Sequence, residues 1–342
     1  MRFPLSLTRS LAGYLLRQKL RGRRRFPLVL MLEPLHACNL SCVGCGRIRE
    51  YASTLAMRMS PAECLAAADE CGAPVVSVCG GEPLLYAQIG QLVADLIQRH
   101  KHVYLCTNGL LLQEKLRELP ASRRLLLNVH LDGMEATHDR LAGRDGAFAA
   151  AVRGIRAAVA AGIAVTINTT VYRQSDVHEI AVLWEYVTEL GVRGLMVSPA
   201  FGFEAAGAAG AAGAAGAERV FMTRLEAHEK FRRLRPLFRR FRLAASPLYL
   251  DFLCGRRELV CAAWASPTRN VRGWRGPCYL IGDAHYATYR ELVEATDRVP
   301  IGPGHDPRCE HCLMHCGFEP AAVLSANRRF RDMLAMALWQ MT

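Results

Sequence analysis

The sequence predicts an α/β fold, a partial (βα)6 TIM-like barrel followed by a cysteine-rich C-terminal extension, on three observations. Six short apolar runs, spaced by helical stretches, lie between residues 28 and 199. Within those runs one side-chain parity is polar and the other almost wholly Leu, Val and Ile. After about residue 243 the pattern gives way to cysteines, glycines and turn dipeptides. Strands that alternate with helices form parallel sheets, because a parallel connection needs a crossover.

Residues 1–27 read as a basic amphipathic segment. Leu5, Leu7, Leu11, Tyr14, Leu15 and Leu16 alternate with Arg9, Arg17 and Lys19, and RGRRR follows at 21–25. Such a segment suits either an anionic membrane surface or packing on a core with a solvated basic face. The barrel is expected over 28–242. Its strands are LVLMLE (28–33), PVVSVC (74–79), HVYLCT (102–107), LLLNVHL (125–131), AVTINTT (164–170) and GLMVSP (194–199). Ser60-Pro61-Ala62-Glu63 is a helix start, with Ser60 as N-cap, Pro61 at the first turn and Glu63 closing a capping box. The Ala-rich stretch 147–161 ends at Gly162, a helix stop. The tract AAGAAGAAGAAGA (205–217) reads as a surface loop. In 221–242, Phe231, Leu234, Phe238 and Phe241 recur at helical spacing against a basic face, with a kink expected at Pro236. They form either a second candidate lipid-facing surface or, as the stronger reading, a helix whose basic face is simply solvated.

Successive strand side chains point to opposite faces. One parity collects Glu33, Ser77, Cys79, Tyr104, Cys106, Asn128, His130, Thr166, Asn168, Met196 and Ser198. The apolar parity should face the helices, which leaves a polar barrel interior. A purely structural barrel fills its interior with branched apolar side chains, so this interior reads as a site.

The 342 residues carry a net charge of +12, from 43 Lys and Arg against 31 Asp and Glu, which favours anionic partners. No apolar run has the length of a membrane span. Arg9 and Arg17 interrupt the N-terminal apolar stretch as no signal peptide would, so a cytoplasmic protein is expected, peripheral at the inner face of the membrane. No nucleic-acid-binding motif is present, and none is expected to bind. The 13 cysteines are odd in number and grouped, which points to metal or cluster ligation rather than disulfides.

The chemistry starts at Cys38-Asn-Leu-Ser-Cys42-Val-Gly-Cys45, just after the first strand. Three thiolates in one loop can hold three irons of a cubane and leave the fourth open for an exchangeable ligand. Zinc sites favour four ligands in C-x2-C pairs. This loop resembles that of the radical S-adenosylmethionine (SAM) superfamily. Gly80-Gly81-Glu82-Pro83 at the end of the second strand is similar to that superfamily's SAM-binding GGEP segment. Thr107-Asn108-Gly109, His130-Leu131-Asp132-Gly133 and Asn168 resemble its third-, fourth- and fifth-strand motifs. The resemblance implies a [4Fe-4S] cluster on Cys38, Cys42 and Cys45. It implies SAM contacts from Gly80, Gly81, Glu82, Pro83, Asn108, His130, Asp132, Asn168 and Ser198. One departure stands out: the residue before the third cysteine, often aromatic and near adenine in the superfamily, is Gly44.

A longer run of segments is similar to the hopanoid-biosynthesis radical SAM family, the adenosylhopane synthases: RQKLRGRRRFPLVLMLEPLHACNLSCVGCG, ECGAPVVSVCGGEPLL, VYLCTNGLLL, VHLDG, SPTRN, RGPCYLIG and the CxxCxxHCGFEP end. The Ala/Gly tract and Tyr86, where a His is common, depart from it. The resemblance implies reductive cleavage of SAM, with electrons from a small reducing electron-transfer protein. The 5′-deoxyadenosyl radical would then add to the alkene of diploptene (hopene). Such an addition leaves a carbon radical that needs a hydrogen atom, and the thiol of Cys106 is the candidate donor, with Cys79 second. Cys64 and Cys71, seven apart on one helix, read as core.

The region 243–342 resembles a shortened SPASM- or twitch-like domain. Cys261, Cys278, Cys309, Cys312 and Cys316 could supply ligands to a second cluster, to zinc, or remain free thiols. Two other functions fit parts of the sequence: a radical SAM peptide-modifying enzyme with an auxiliary cluster, and a basic iron–sulfur or zinc protein that binds nucleic acid.

Overall fold

The computed structural model describes residues 4–202, 220–297, 299–326 and 329–341, with no side-chain placement for 48 and 49. The Ala/Gly tract at 205–217 lies outside the described residues.

Six strands form the barrel wall: β1 (Val29–Glu33), β2 (Val75–Val78), β3 (His102–Thr107), β4 (Leu125–His130), β5 (Ala164–Val171) and β6 (Gly194–Pro199). All five neighbouring pairs are parallel and lie in sequence order. The helices between them bury one face each against the apolar parity of the strands. Leu30, Leu32, Val76, Val78, Val103, Leu105, Leu127 and Val129 are all fully buried in that layer. The helix Pro61–Cys71 starts as its sequence dictates. Ser60 caps the Glu63 amide, and the Glu63 carboxylate accepts from the Ser60 amide at 2.7 Å. Cys64 and Cys71 face the core.

The sheet does not stop at β1. Strand β7 (Thr268–Asn270) pairs in parallel with the other edge of β1, and β8 (Gly273–Pro277) and β9 (Gly282–Tyr286) follow as antiparallel neighbours. The nine-stranded order is β6-β5-β4-β3-β2-β1-β7-β8-β9. An uncovered β1 edge would offer unpaired backbone groups to other chains, and the C-terminal hairpin removes that edge.

The helix Leu5–Leu20 turns Leu7 inward, and packs Tyr14 and Leu15 beside Leu28, Ala262 and Ala265. Leu5, Leu16 and Leu20 remain exposed. Among the described residues no helix is long and apolar enough to cross a membrane. The helix Arg224–Arg240 runs through Pro236. Its Phe231, Leu234 and Phe238, with Phe241 just beyond, are buried, packing against Trp184 and the helix Pro247–Leu253 region. Of the two readings of this helix, the burial of its aromatic face supports the solvated basic face and not the lipid-facing surface. The periodicity was that of a core face, and the arginines are its solvated side.

Candidate active site

The C-terminal ends of β1–β5 gather the residues singled out in the sequence. The loop after β1 carries Cys38, Cys42 and Cys45; the first two are half-buried and the third is exposed. It is held from two sides. Gly81 and Glu82 donate their amides to the Leu35 and Ala37 carbonyls at 3.2 and 2.8 Å. The Val43 amide reaches the Leu141 carbonyl at 2.9 Å.

The two glycines are required for this contact. Gly80 has φ +104°, open to glycine alone in practice. A Cβ on Gly81 would lie 1.9 Å from the Ala37 carbonyl oxygen and 2.6 Å from that of His36. The sequence suggested that these glycines let backbone approach a ligand. The close partner in the structure is the stem of the cysteine loop itself.

Glu82 is buried and committed to the protein. Its carboxyl accepts from the Leu84 amide (2.9 Å), the Thr107 hydroxyl (2.7 Å) and the Asn108 amide (2.8 Å). Burial pushes its pKa up and these three hydrogen bonds pull against that rise. Glu82 thus fastens the segment after β2 to the turn after β3, and Pro83 opens a short 3-10 turn behind it. Asn108 donates to Asn39 Oδ1 at 2.7 Å and lies 3.9 Å from Cys38 Sγ.

His130 and Asp132 form the next unit, with Nε2 and Oδ2 2.7 Å apart. Asn168 reaches the other imidazole nitrogen at 3.3 Å, and the second Asp132 oxygen accepts from the Thr170 amide at 2.8 Å. Burial lowers the His130 pKa, but the charge and hydrogen bond of Asp132 outweigh it and hold the imidazole above its ordinary value. Ser198 pairs in register with Thr170 and is buried.

One step deeper, Cys106 Sγ lies 3.4 Å from Ser77 Oγ and 3.7 Å from Asn128 Nδ2. Thr166 donates to Asn128 Oδ1 at 3.0 Å, which turns the amide nitrogen toward the sulfur. Burial pushes the Cys106 thiol up, so it is protonated near neutral pH. The polar interior expected from strand parity is therefore a connected row: Ser77, Cys106, Asn128, Thr166.

The C-terminal cysteines converge. Cys261, Cys278, Cys309, Cys312 and Cys316 line one cavity, together with Phe201, Tyr279 and Gly317. A Cβ on Gly317 would lie 2.6 Å from Cys261 Sγ. Burial raises all five thiols, Cys309 to about 11 and Cys261 to about 12. Cys254 stands apart, its thiol on the Phe231 carbonyl.

Sequence reasoning missed the link between the two cysteine sites. Arg47, two residues after Cys45, bonds the Tyr279 carbonyl at 2.8 Å and lies over the Tyr279 ring at 4.2 Å. Glu50, Tyr51, Glu33 and Arg275 complete a buried charged network around it. A buried charge needs a partner, but partners 232 residues apart leave no local pattern to read.

Both thiol sets suit iron–sulfur clusters. Among the described residues no three His, Cys, Asp or Glu side chains close on a single metal ion. A cubane instead takes one thiolate per iron, at separate corners. Ligation by thiolates would displace the thiol protons.

A parallel barrel with a three-cysteine loop against a glycine turn is the arrangement expected of an iron–sulfur, SAM-binding protein. Residues 32–186, a little under half of the chain, match the family model of the radical SAM superfamily. Residues 195–336 match a second model, described as a domain of unknown function (DUF3463). The chain is 34% identical to an AdoMet-dependent heme synthase of Methanosarcina barkeri, over 48% of each chain. It spans less than half the length of the curated heme and Fe-coproporphyrin synthases it matches. The antilisterial bacteriocin subtilosin biosynthesis protein AlbA of Bacillus subtilis is 24% identical over 91% of this chain and 71% of its own. Streptococcus suis SuiB, solved with its precursor peptide SuiA, superposes with a TM-score of 0.62 at 17% identity, over 93% of this chain and 76% of that one. That likeness includes the C-terminal region and supports the α/β fold with its cysteine-rich extension. The relatives with these matches are named for a bacteriocin and a precursor peptide, which overturns the expectation of diploptene as the partner.

Proposed function

We propose that the chain is a radical SAM enzyme that modifies a peptide, with one cluster on Cys38, Cys42 and Cys45 and a second in the C-terminal cysteine cavity. When bound, the first cluster supplies the electron that splits SAM into methionine and a 5′-deoxyadenosyl radical. The observation that carries the reading is the cysteine loop clamped on Gly80-Gly81 above a polar interior. The peptide as substrate class rests on the match to AlbA along nearly the whole chain.

This chain's own residues have defined tasks. Asn108 and Asn39 fix the loop beside Cys38, and Asp132 orients His130. Ser77, Asn128 and Thr166 form the polar row that holds Cys106 as a neutral thiol.

Cys106 favours a second reading, transfer of the adenosyl group to an alkene. Carbon–carbon bond formation leaves a carbon radical. A hydrogen atom from the Cys106 thiol quenches it, and one electron and one proton from the external reductant restore the thiol.

Anaerobic incubation with SAM, a reductant and, in parallel, either a library of synthetic peptides or a set of terminal alkenes separates the readings. Peptide-dependent 5′-deoxyadenosine, together with a peptide that has lost hydrogen, supports the first. A product carrying the adenosyl group, with little free 5′-deoxyadenosine, supports the second. SAM left intact by iron-replete protein rejects both.

A further inference from the structure

Eight of the fifteen large hydrophobic side chains exposed among the described residues lie on just two helices, Leu5–Leu20 and Phe330–Met341. In the second, Phe330, Met333, Leu334, Leu338 and Met341 recur every three or four residues and form one stripe along the helix. The opposite side of that helix is already committed. Asp332 is buried against Arg257, and Trp339 donates to the Ala245 carbonyl at 2.8 Å. A helix that is apolar on both sides is ordinarily covered on both, yet here the outer stripe faces solvent. In the first helix Leu5, Leu16 and Leu20 point outward, with the exposed Arg9 among them. The two helices meet at Gln340 and Thr8, 3.2 Å apart. Each of these residues lies about a quarter-turn round from the outer stripe of its own helix, at about 3.6 residues per turn. The helices therefore touch flank to flank, with both outer stripes turned the same way. The charge around them has one sign. Residues 4–25 contain seven Lys and Arg and no Asp or Glu, and Arg329 and Arg331 are exposed beside the second stripe.

We infer that these two helices form a docking surface for an anionic lipid bilayer. Apolar side chains with cations along their margins and no exposed acid suit the membrane interface. The leucines, methionines and Phe330 enter the acyl boundary, while arginine and lysine meet headgroup phosphates. A second copy of the chain fits this face worse, because a two-fold contact sets a patch against itself and would press one basic margin onto another. The surface does not depend on which substrate the barrel takes. It also separates the basic helices of the chain. Arg224–Arg240 turns its aromatic side to the core, whereas Leu5–Leu20 and Phe330–Met341 keep an apolar side outside.

The test is anaerobic co-sedimentation of the full-length, iron-containing protein with phosphatidylcholine vesicles, made with or without about one third phosphatidylglycerol. The protein is expected to bind the anionic vesicles about tenfold or more tightly than the neutral ones, and to lose that difference between about 0.1 and about 0.5 M salt. Leu334→Gln with Leu338→Gln is expected to weaken binding about tenfold or more, at unchanged iron content and melting temperature. Leu225→Gln, also at an exposed leucine but on the helix Arg224–Arg240, is expected to bind within about twofold of wild type. Wild-type protein that stays in solution beside anionic vesicles overturns the inference. So does wild-type binding by the double variant, or an equal loss in Leu225→Gln. Light scattering that shows a dimer without lipid, split by the same double variant, overturns it in favour of a second copy. If the double variant melts early, Arg23→Gln with Arg24→Gln, in the exposed segment after the first helix, decides instead: weakened binding supports the surface and wild-type binding overturns it.

Discussion

Among the described glycines Gly81 has the least room for a methyl group, so Gly81→Ala should be damaging. The new Cβ would sit 1.9 Å from the Ala37 carbonyl oxygen and 2.5 Å from its carbon. Both are backbone atoms, so no side-chain rotation relieves the overlap. One strand end or the other must move by more than an ångström to restore ordinary contact. Overpacking usually costs about 1–3 kcal/mol, and a backbone-on-backbone clash belongs at the upper end, about 3 kcal/mol. Unfolding entropy near 2.1 cal/mol/K per residue gives about 0.7 kcal/mol per degree for a chain of this size, hence a Tm lower by about 4 °C. Ala37 adjoins Cys38, so the same displacement should reduce iron incorporation. The assay is thermal unfolding under anaerobic conditions, with iron counted per chain. Gly13→Ala is the reference. Nothing lies within 4 Å of its Cβ, and it sits inside the helix Leu5–Leu20. Its Tm should stay level or rise by about 1 °C. A Gly81→Ala protein with wild-type Tm and iron content would refute the account of that turn.

Three further outcomes are expected. Burial raises Glu319 to about 7, so the folded chain holds its proton where the unfolded chain does not, and stability should fall as pH climbs from about 4.5 through 7. Glu319→Gln should flatten that slope in pH-dependent denaturant melts, with a gain of roughly 3 kcal/mol above pH 8; an unchanged slope contradicts it. The His130–Asp132 pair raises the imidazole pKa, so its stabilisation is complete below the ordinary value of about 6.5 and lost as pH rises through the folded value. NMR titration should show that pKa drop in Asp132→Asn, and no shift would remove the pair from the argument. Iron per chain should fall from about eight to about four in a Cys278→Ser, Cys316→Ser variant, with the first cluster's EPR signal retained; about four irons in wild type would reject a cluster in the C-terminal cavity.

The barrel was legible because its signals are local. HVYLCT and GLMVSP coincide with β3 and β6 in both limits, and the other four strands differ by a residue or two at their ends. Period-two alternation also foretold the row Ser77, Cys106, Asn128 and Thr166. The Ser60 capping box needs four consecutive residues, and the sequence contains all four. Other features depend on partners far along the chain. The pairing of β7 with β1 joins residue 268 to residue 31, and TRN is too short and polar to read as a strand. Arg47 meeting Tyr279 leaves no periodic trace. The basic helix Arg224–Arg240 shows the opposite limit: its pattern was visible, but amphipathicity alone does not say whether core or lipid covers the apolar side.

The pairing of β1 with β7 has a consequence for how the protein is made. The cysteine loop hangs from β1, and that strand's outer edge is covered only by residues near 268. A ribosome adding about 5–20 residues per second needs on the order of 10–50 s to reach that point after Cys38 emerges. Throughout that interval three thiols and an open strand edge coexist on a growing chain. Oxidants, stray metals and neighbouring nascent chains all have access to them. Cells short of reducing power or iron-delivery capacity should therefore lose this protein during synthesis, before any finished fold is at risk.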